Sequence, residues 1–313
     1  MKVVFLGTND WANWANLNAR AINRGNLGIT ARVVTRKTHP FQYNEDIVTE
    51  RGADDLGMAS LVVSQADVLV TTGDGDYGGF DQMVNELGGR GKPVAASHVG
   101  TTYRQHPADF DEEDKRRHWR RRFVSPDLYR FVKDDPEARI HFVPPDLVLA
   151  HLPPRTSIDL RVLHGPSNPA FKGTEAIERG FRSAEGTDPR IKCRTLTNLP
   201  SDIFWEQMHE YDVFVDSFYE PGGGIGGAMQ GAMAFGLMGI SDLRNICPET
   251  YRWMEPLPVI STHTAEGLQA HLSALAKDPG AVEELRGACL GWAERHLAPE
   301  PMARYWKEHL CSL

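Results

Sequence analysis

A glycine-rich loop in the second half of the chain has the composition of a phosphate-binding site. It follows an apolar run at 213–218, which predicts a buried strand, and it precedes a small-residue segment, which predicts a helix from about Gly227 to Ala234. Glycines let backbone N–H groups approach an anion, and a helix N-terminus adds unpaired N–H groups and the positive end of a dipole. The loop is therefore predicted to bind a nucleotide-carrying ligand through Gly222, Gly223, Gly224 and Gly226.

A lysine earlier in the same half could supply a positive charge to that ligand. A predicted strand at 160–164 ends in a loop, and Lys172 and Gly173 open the next predicted helix. Open α/β sheets bind ligands at the carboxyl ends of their strands, so Lys172 would face the ligand and neutralise a diphosphate. A single exposed loop lysine is the alternative interpretation.

Polar residues also follow the first predicted strand, at residues 2–6. Gly7, Asn9 and Asp10 come directly after it and are expected at a ligand-binding edge. Asp10 could act as a base or as a hydrogen-bond partner for a substrate. The alternative is that Asp10 caps the following helix, a common role for aspartate at this position.

Two charged segments could bind other partners. Asp74 and Asp76 flank one glycine and could hold Mg²⁺ or Mn²⁺ through oxygen ligands, although a polar loop without metal is the favoured interpretation. The basic segment Lys115–Arg122 could contact an anionic polymer such as nucleic acid. Five acidic residues at 109–114 offset its charge, which favours a solvated helix with internal ion pairs.

The composition is that of an ordinary soluble protein. The net charge of −8 argues against a protein that coats nucleic acid. The four cysteines are widely spaced, so no zinc or redox motif is predicted. The first residues predict a buried strand and not a signal peptide, and no apolar window is long enough for a transmembrane helix, so we expect a cytoplasmic location.

The order of predicted elements indicates two α/β domains. At 313 residues the chain exceeds one comfortable core, and strands alternate with helices in both halves, which favours parallel sheets covered on both faces. A proline-rich stretch at 141–155 predicts the linker. We therefore expect domains at 1–150 and 151–313, with the last helix able to cross back onto the first.

The second half resembles the C-terminal half of GT-B glycosyltransferases, and glycosyltransferase family 4 most of all. The resemblance rests on four motifs: Lys172-Gly173, the strand Asp212-Val-Phe-Val215, the turn Gly224-Ile-Gly226 and the helix Ala232-Met-Ala-Phe-Gly236. The first half resembles the family more loosely through residues 5–22, 97–104 and 125–128. The resemblance implies two Rossmann-like domains with parallel sheets facing a central cleft.

The same resemblance implies an activity and a set of site residues. A retaining, metal-independent enzyme would move a sugar from a nucleotide-sugar to an acceptor hydroxyl and would need no cofactor. Asp10 and Lys172 would be catalytic. The donor and its phosphates would be bound by Gly7, Lys172, Gly173, Glu220, Gly222, Gly223, Gly224, Gly226 and Gln230, and the acceptor side would hold Asn9, His98, Tyr103 and Arg104.

One departure from the family keeps two other functions open. The family's helix carries a ribose-binding glutamate where this chain has Gly231, and Glu220 is offset from the motif. A non-catalytic nucleotide- or carbohydrate-binding protein is therefore one alternative. An NAD-dependent oxidoreductase is the other, because Gly222, Gly224 and Gly227 match a dinucleotide fingerprint and Asp242 follows the next strand.

Overall fold

The computed structural model describes residues 1–10, 13–39, 43, 45–73, 75–119, 121–145, 158–218 and 223–313. The chain divides into two compact units. The first comprises residues 1–146 together with 298–313, and the second comprises residues 147–297. Most of the predicted linker lies at 146–157, outside the described residues.

The first unit is built on a seven-stranded parallel sheet with the strand order β3-β2-β1-β4-β5-β6-β7. Its central strands are apolar and buried on both faces, as expected where helices cover both sides of a parallel sheet. The strands are β1 (Lys2–Gly7), β2 (Thr30–Thr35), β3 (Ile47–Val48), β4 (Val68–Thr71), β5 (Val94–His98), β6 (Arg121–Val124) and β7 (Ala138–Ile140). The helices of its N-terminal part are α1 (Trp14–Gly25), α2 (Ala53–Ser64), α3 (Tyr77–Glu86), α4 (Gly100–Gln105) and α5 (Pro107–Arg116).

The last helix of the chain, α12 (Pro299–Leu310), packs in this first unit against α1. The indole of Trp306 is fully buried and meets the ring of Phe5 edge to face at 5.4 Å. The Trp306 Nε1–H donates to Asn18 Oδ1 at 2.8 Å, so the buried indole leaves no donor unpaired. The end of the chain is thereby fixed to the first strand and helix.

The second unit holds a five-stranded parallel sheet with the order β12-β11-β10-β8-β9. Its strands are β8 (Leu160–His164), β9 (Ile191–Thr195), β10 (Val213–Val215), β11 (Met238–Ser241) and β12 (Val259–Ser261). Its helices are α6 (Pro169–Lys172), α7 (Thr174–Thr187), α8 (Ser201–Met208), α9 (Gly227–Ala234), α10 (Ala265–Leu275) and α11 (Pro279–Leu297). The expected fold class, parallel α/β in both halves, is confirmed.

The basic segment Lys115–Arg122 is not the single solvated helix that its charge pattern favoured. Helix α5 ends at Arg116, and Arg121 and Arg122 begin strand β6 in buried positions. Arg122 pairs with Asp111 and Asp135, which lie 11 and 13 residues away in the sequence. These ion pairs, together with the pair between Arg121 and Glu137, compensate the charge of two arginines in buried strand positions.

Candidate functional site

Polar side chains meet at the carboxyl edge of the second sheet. Val215 at the end of β10 pairs with His164 at the end of β8 and with Ile240 of β11. Because the three strands are parallel, the residues that follow them emerge side by side at this edge. Asp216 directly follows β10 and is 3% exposed.

A glycine turn places Lys172 at this edge. Gly173 separates α6 from α7 and has φ +65°, a left-handed conformation that side chains disfavour. A Cβ atom on Gly173 would also lie 3.0 Å from the backbone carbon of Phe218. The Phe218 N–H donates to the Lys172 carbonyl at 3.0 Å, which fastens the lysine backbone to the segment after β10.

The ammonium of Lys172 lies between Asp216 and the start of helix α9. Its Nζ is 2.5 Å from Asp216 Oδ1, and Asp216 Oδ2 accepts the N–H of Gly226 at 2.7 Å. A Cβ on Gly226 would stand 3.0 Å from Lys172 Nζ, so the glycine makes this approach possible. A cation and a helix N-terminus therefore converge on one point, which is the arrangement that binds anions.

His164 fixes the strand ends around this point. Burial lowers the pKa of His164 to about 4, so the ring is neutral near pH 7. Nδ1 lies 2.8 Å from the Val215 carbonyl and must donate to it, which leaves Nε2 to accept from the Thr174 hydroxyl at 2.9 Å. The histidine thus joins β8, β10 and the first turn of α7, and it is a site residue that the sequence analysis missed.

Two polar side chains donate hydrogen bonds to backbone carbonyls of the glycine loop. Gln230, predicted to bind the donor, is 1% exposed, and its amide donates to the Ile225 carbonyl at 3.3 Å. The Ser241 hydroxyl donates to the Gly224 carbonyl at 2.6 Å. Both contacts shape the loop, with Gly224 at φ +139°. Glu220 and Gly222 lie outside the described residues.

An aromatic side chain explains the glycine at position 231. A Cβ on Gly231 would lie 2.2 Å from the indole of Trp205, which extends from α8 over α9. The indole also stacks on Phe235 with ring centroids 5.7 Å apart. The neighbouring Phe204 packs in the same way on Gly165, where a Cβ would lie 2.4 Å from the ring. Trp205 therefore fills the space that a longer side chain at 231 would need.

Asp242, the acidic residue of the dinucleotide hypothesis, is engaged within the protein. Arg244 donates to both of its oxygens, at 2.7 Å from Nη2 and 2.9 Å from Nε. Burial opposes ionisation of Asp242, but the Arg244 hydrogen bonds prevail and lower its pKa. A Cβ on Gly223 would lie 2.7 Å from the Asp242 carbonyl oxygen, so the loop packs directly on this residue.

In the first unit Asp10 caps a helix. The fully buried carboxylate accepts hydrogen bonds from the N–H of Ala15 and from the N–H and side-chain amide of Asn16, all within 3.0 Å. Burial raises the pKa of Asp10 to about 6. Asn9 accepts the Asp10 N–H at 3.0 Å, and Gly7 ends β1. Asp10 thus accepts the N–H groups of the first turn of α1, whose N-cap residue is Asn13, as the capping alternative expects. The catalytic role of Asp10 stays a prediction.

The predicted acceptor-side residues form internal contacts. His98 is 3% exposed, with Nε2 at 2.7 Å from Asp114 and its ring stacked on Tyr103. Arg104 pairs with Asp127 at 2.6 Å. His98 ends β5, and Tyr103 and Arg104 lie in α4. Their contacts stabilise the first unit at the carboxyl edge of its sheet.

The second aspartate of the Asp74 and Asp76 pair, Asp76, is engaged in intramolecular contacts. Asp76 caps α3 by accepting the Gly79 N–H, and it accepts the Thr8 hydroxyl at 2.6 Å. Hydrogen bonds from Thr8 and Gly79 lower its pKa. Asp74 lies outside the described residues, and no group of three potential metal ligands occurs among the residues that the structure describes.

Solved structures similar to this chain include an alpha-glucosyltransferase and proteins that bind UDP or UDP-glucose. Anabaena HepE in complex with UDP-glucose is 13% identical over 100% of both chains, with a TM-score of 0.65. An alpha-glucosyltransferase in complex with UDP and a mismatch-containing DNA is 9% identical over 98% of both chains, with a TM-score of 0.58. S. aureus TarM, a mutant in complex with UDP among other ligands, is 9% identical over 82% of this chain and 58% of its own, with a TM-score of 0.58.

These likenesses confirm that the chain has the GT-B fold. No protein-family model and no curated protein sequence matches the chain. Across the described residues, none of the helices is both long and apolar enough to cross a membrane.

Proposed function

We propose that the protein transfers a sugar from a nucleotide-sugar donor to an acceptor hydroxyl. The observation that carries the proposal is the convergence of Lys172 Nζ, the Gly226 N–H and the N-terminus of α9 at the carboxyl edge of the second sheet. The GT-B fold and the UDP or UDP-glucose bound in similar structures support a nucleoside diphosphate as the group held there.

In this proposal the second unit stabilises the leaving diphosphate. Negative charge develops on the diphosphate as the bond to the sugar breaks, and a fixed cation and backbone N–H groups stabilise that charge. Lys172 and the amides of the glycine loop supply these groups, so the reaction needs no metal ion. Retention of the anomeric configuration is proposed from the resemblance to family 4. The acceptor is a hydroxyl compound bound by the first unit.

The alternatives draw less support from the geometry. An oxidoreductase needs a free acidic residue for the ribose, whereas Asp242 is bound on both oxygens by Arg244. Nucleic acid as acceptor would draw on the cations of Lys115–Arg122. Four of them, Arg116, Arg117, Arg121 and Arg122, pair with carboxylates, which reduces the charge offered to a polyanion.

Titration calorimetry with UDP, GDP, ADP, UDP-glucose and NADH tests the donor class. We expect a nucleoside diphosphate to bind and NADH not to bind; the reverse would favour the oxidoreductase. Donor binding without sugar transfer, over a broad panel of acceptor alcohols and saccharides, would favour the non-catalytic protein. Proton NMR of the first-formed product reports retention or inversion, and turnover with excess EDTA tests independence of metal.

A further inference from the structure

A buried carboxylate hydrogen-bonds to both groups that a diphosphate would use. Asp216 Oδ1 takes the Lys172 ammonium at 2.5 Å, and Oδ2 takes the Gly226 N–H at 2.7 Å. These are the same two groups on which the proposed function rests. A phosphate oxygen on the Gly226 N–H would have to displace the carboxylate, and one bound by a further N–H of the ammonium would lie beside it.

The charge of the anion site is consequently balanced without a ligand. The Lys172 cation and the Asp216 anion sum to zero, and Asp216 is 3% exposed, so water screens its charge poorly. The Lys172 side chain is 22% exposed and sits on a flexible four-carbon stem. The ammonium can therefore rotate toward a ligand, while the carboxylate is fixed on the strand end.

We propose that Asp216 is an internal competitor for the donor diphosphate and sets how tightly the site binds it. Asp216 holds Lys172 beside the N-terminus of α9 when no donor is present. When a donor binds, the ammonium turns from the carboxylate to the diphosphate, and the fixed negative charge of Asp216 weakens the complex. Such a carboxylate would also favour release of the nucleoside diphosphate product, which carries more charge than the donor. This inference rests on the proposed function.

A second aspartate on the same strand provides a matched control. Asp212 directly precedes β10 as Asp216 directly follows it, and it is 8% exposed. Asp212 Oδ2 accepts the Arg161 N–H at 2.9 Å, at the amino edge of the sheet. Asn at either position keeps the shape and an acceptor oxygen but removes the charge.

The test is calorimetric titration of UDP into the wild type, Asp216→Asn, Asp216→Ser and Asp212→Asn, with thermal unfolding as a check of folding. We expect a Kd for UDP about tenfold lower in both Asp216 variants and unchanged in Asp212→Asn, because loss of one poorly screened like charge is worth roughly that factor. Affinity in the Asp216 variants should also fall more steeply with NaCl, since their site carries net positive charge.

The possible outcomes separate this inference from the proposed function. UDP binding to the wild type with equal or weaker binding to folded Asp216 variants would overturn the competitor role and leave the donor class intact. Failure of both Asp216 variants to fold would also overturn it, because it would assign Asp216 a purely structural role. Absence of UDP binding in every variant would remove the proposed function and the inference with it.

Discussion

Replacing Lys172 by alanine removes the proposed ligand contact and a buried ion pair at once. The substitution removes the ammonium that lies 2.5 Å from Asp216 Oδ1. The carboxylate, 3% exposed, then keeps the Gly226 N–H as its partner at 2.7 Å. Two quantities should change together: the affinity for a nucleoside diphosphate and the free energy of unfolding.

The structure sets the expected size of both changes. A charge-assisted hydrogen bond to a ligand is worth roughly 1.5–3 kcal/mol, so the Kd for UDP should rise about ten- to a hundredfold. The loss should lie toward the upper end, because the unpaired Asp216 charge then repels the phosphates. Breaking a buried pair typically costs about 3–5 kcal/mol. Since Lys172 is 22% exposed and Asp216 keeps one N–H, we expect a smaller loss of stability, about 1–3 kcal/mol.

Calorimetry with UDP and urea unfolding measure the two effects separately. Lys172→Ala combined with Asp216→Asn should recover most of the lost stability, because no buried charge is left unpaired. Lys172→Arg should rescue binding only in part, since a planar guanidinium differs from a compact ammonium. An unchanged Kd for UDP in folded Lys172→Ala would refute the placement of this lysine in the donor site.

Three further substitutions test the packing around the site and the chain end. Gly231→Ala should lower the free energy of unfolding by about 1–3 kcal/mol, because the new Cβ would overlap the Trp205 indole. Denaturant unfolding should show a smaller loss from Gly231→Ala when Trp205→Ala is also present. His164→Asn should flatten the pH dependence of the free energy of unfolding. The folded pKa of His164, about 4, lies below the unfolded value near 6.5, so the wild type gains about 3 kcal/mol as pH rises through that window. Equal slopes of unfolding free energy against pH in both proteins would contradict this. Trp306→Phe should lower the free energy of unfolding by about 1–3 kcal/mol in urea, because it leaves the Asn18 oxygen unpaired and opens a cavity. A neutral effect would show that this contact does not fix α12.

Local patterns predicted those elements whose stability depends on local sequence. The strand at 160–164 and the helix Gly227–Ala234 were predicted with the bounds that the structure has. Strand β6 was missed because it begins with Arg121 and Arg122, whose burial depends on carboxylates elsewhere in the chain. Hydropathy alone cannot reveal a strand that ion pairs with distant residues make possible.

The site shows the same division. Spacing and glycine content predicted that Lys172 and Gly226 would meet, since both follow strands of one parallel sheet. Their shared partner Asp216, 44 residues from Lys172, was missed, although a carboxylate directly after a buried strand at the ligand-binding edge was a usable indication. A carboxylate repels an anionic ligand, so a carboxylate would not be expected in an anion site. The presence of Asp216 there is the reason for the hypothesis that it competes with the ligand.

Gly231, where the resembled family carries a glutamate, is a position that packing explains. The sequence marks the missing glutamate, but only the structure shows the Trp205 indole in the space where that side chain would stand. A single Gly231→Glu substitution would force the indole aside and bury part of a carboxylate, and both effects destabilise. Restoring the glutamate therefore requires a smaller residue at 205 as well. If the double variant alone were to bind UDP more tightly than the wild type, the indole and not the glycine would be what separates this site from the family pattern.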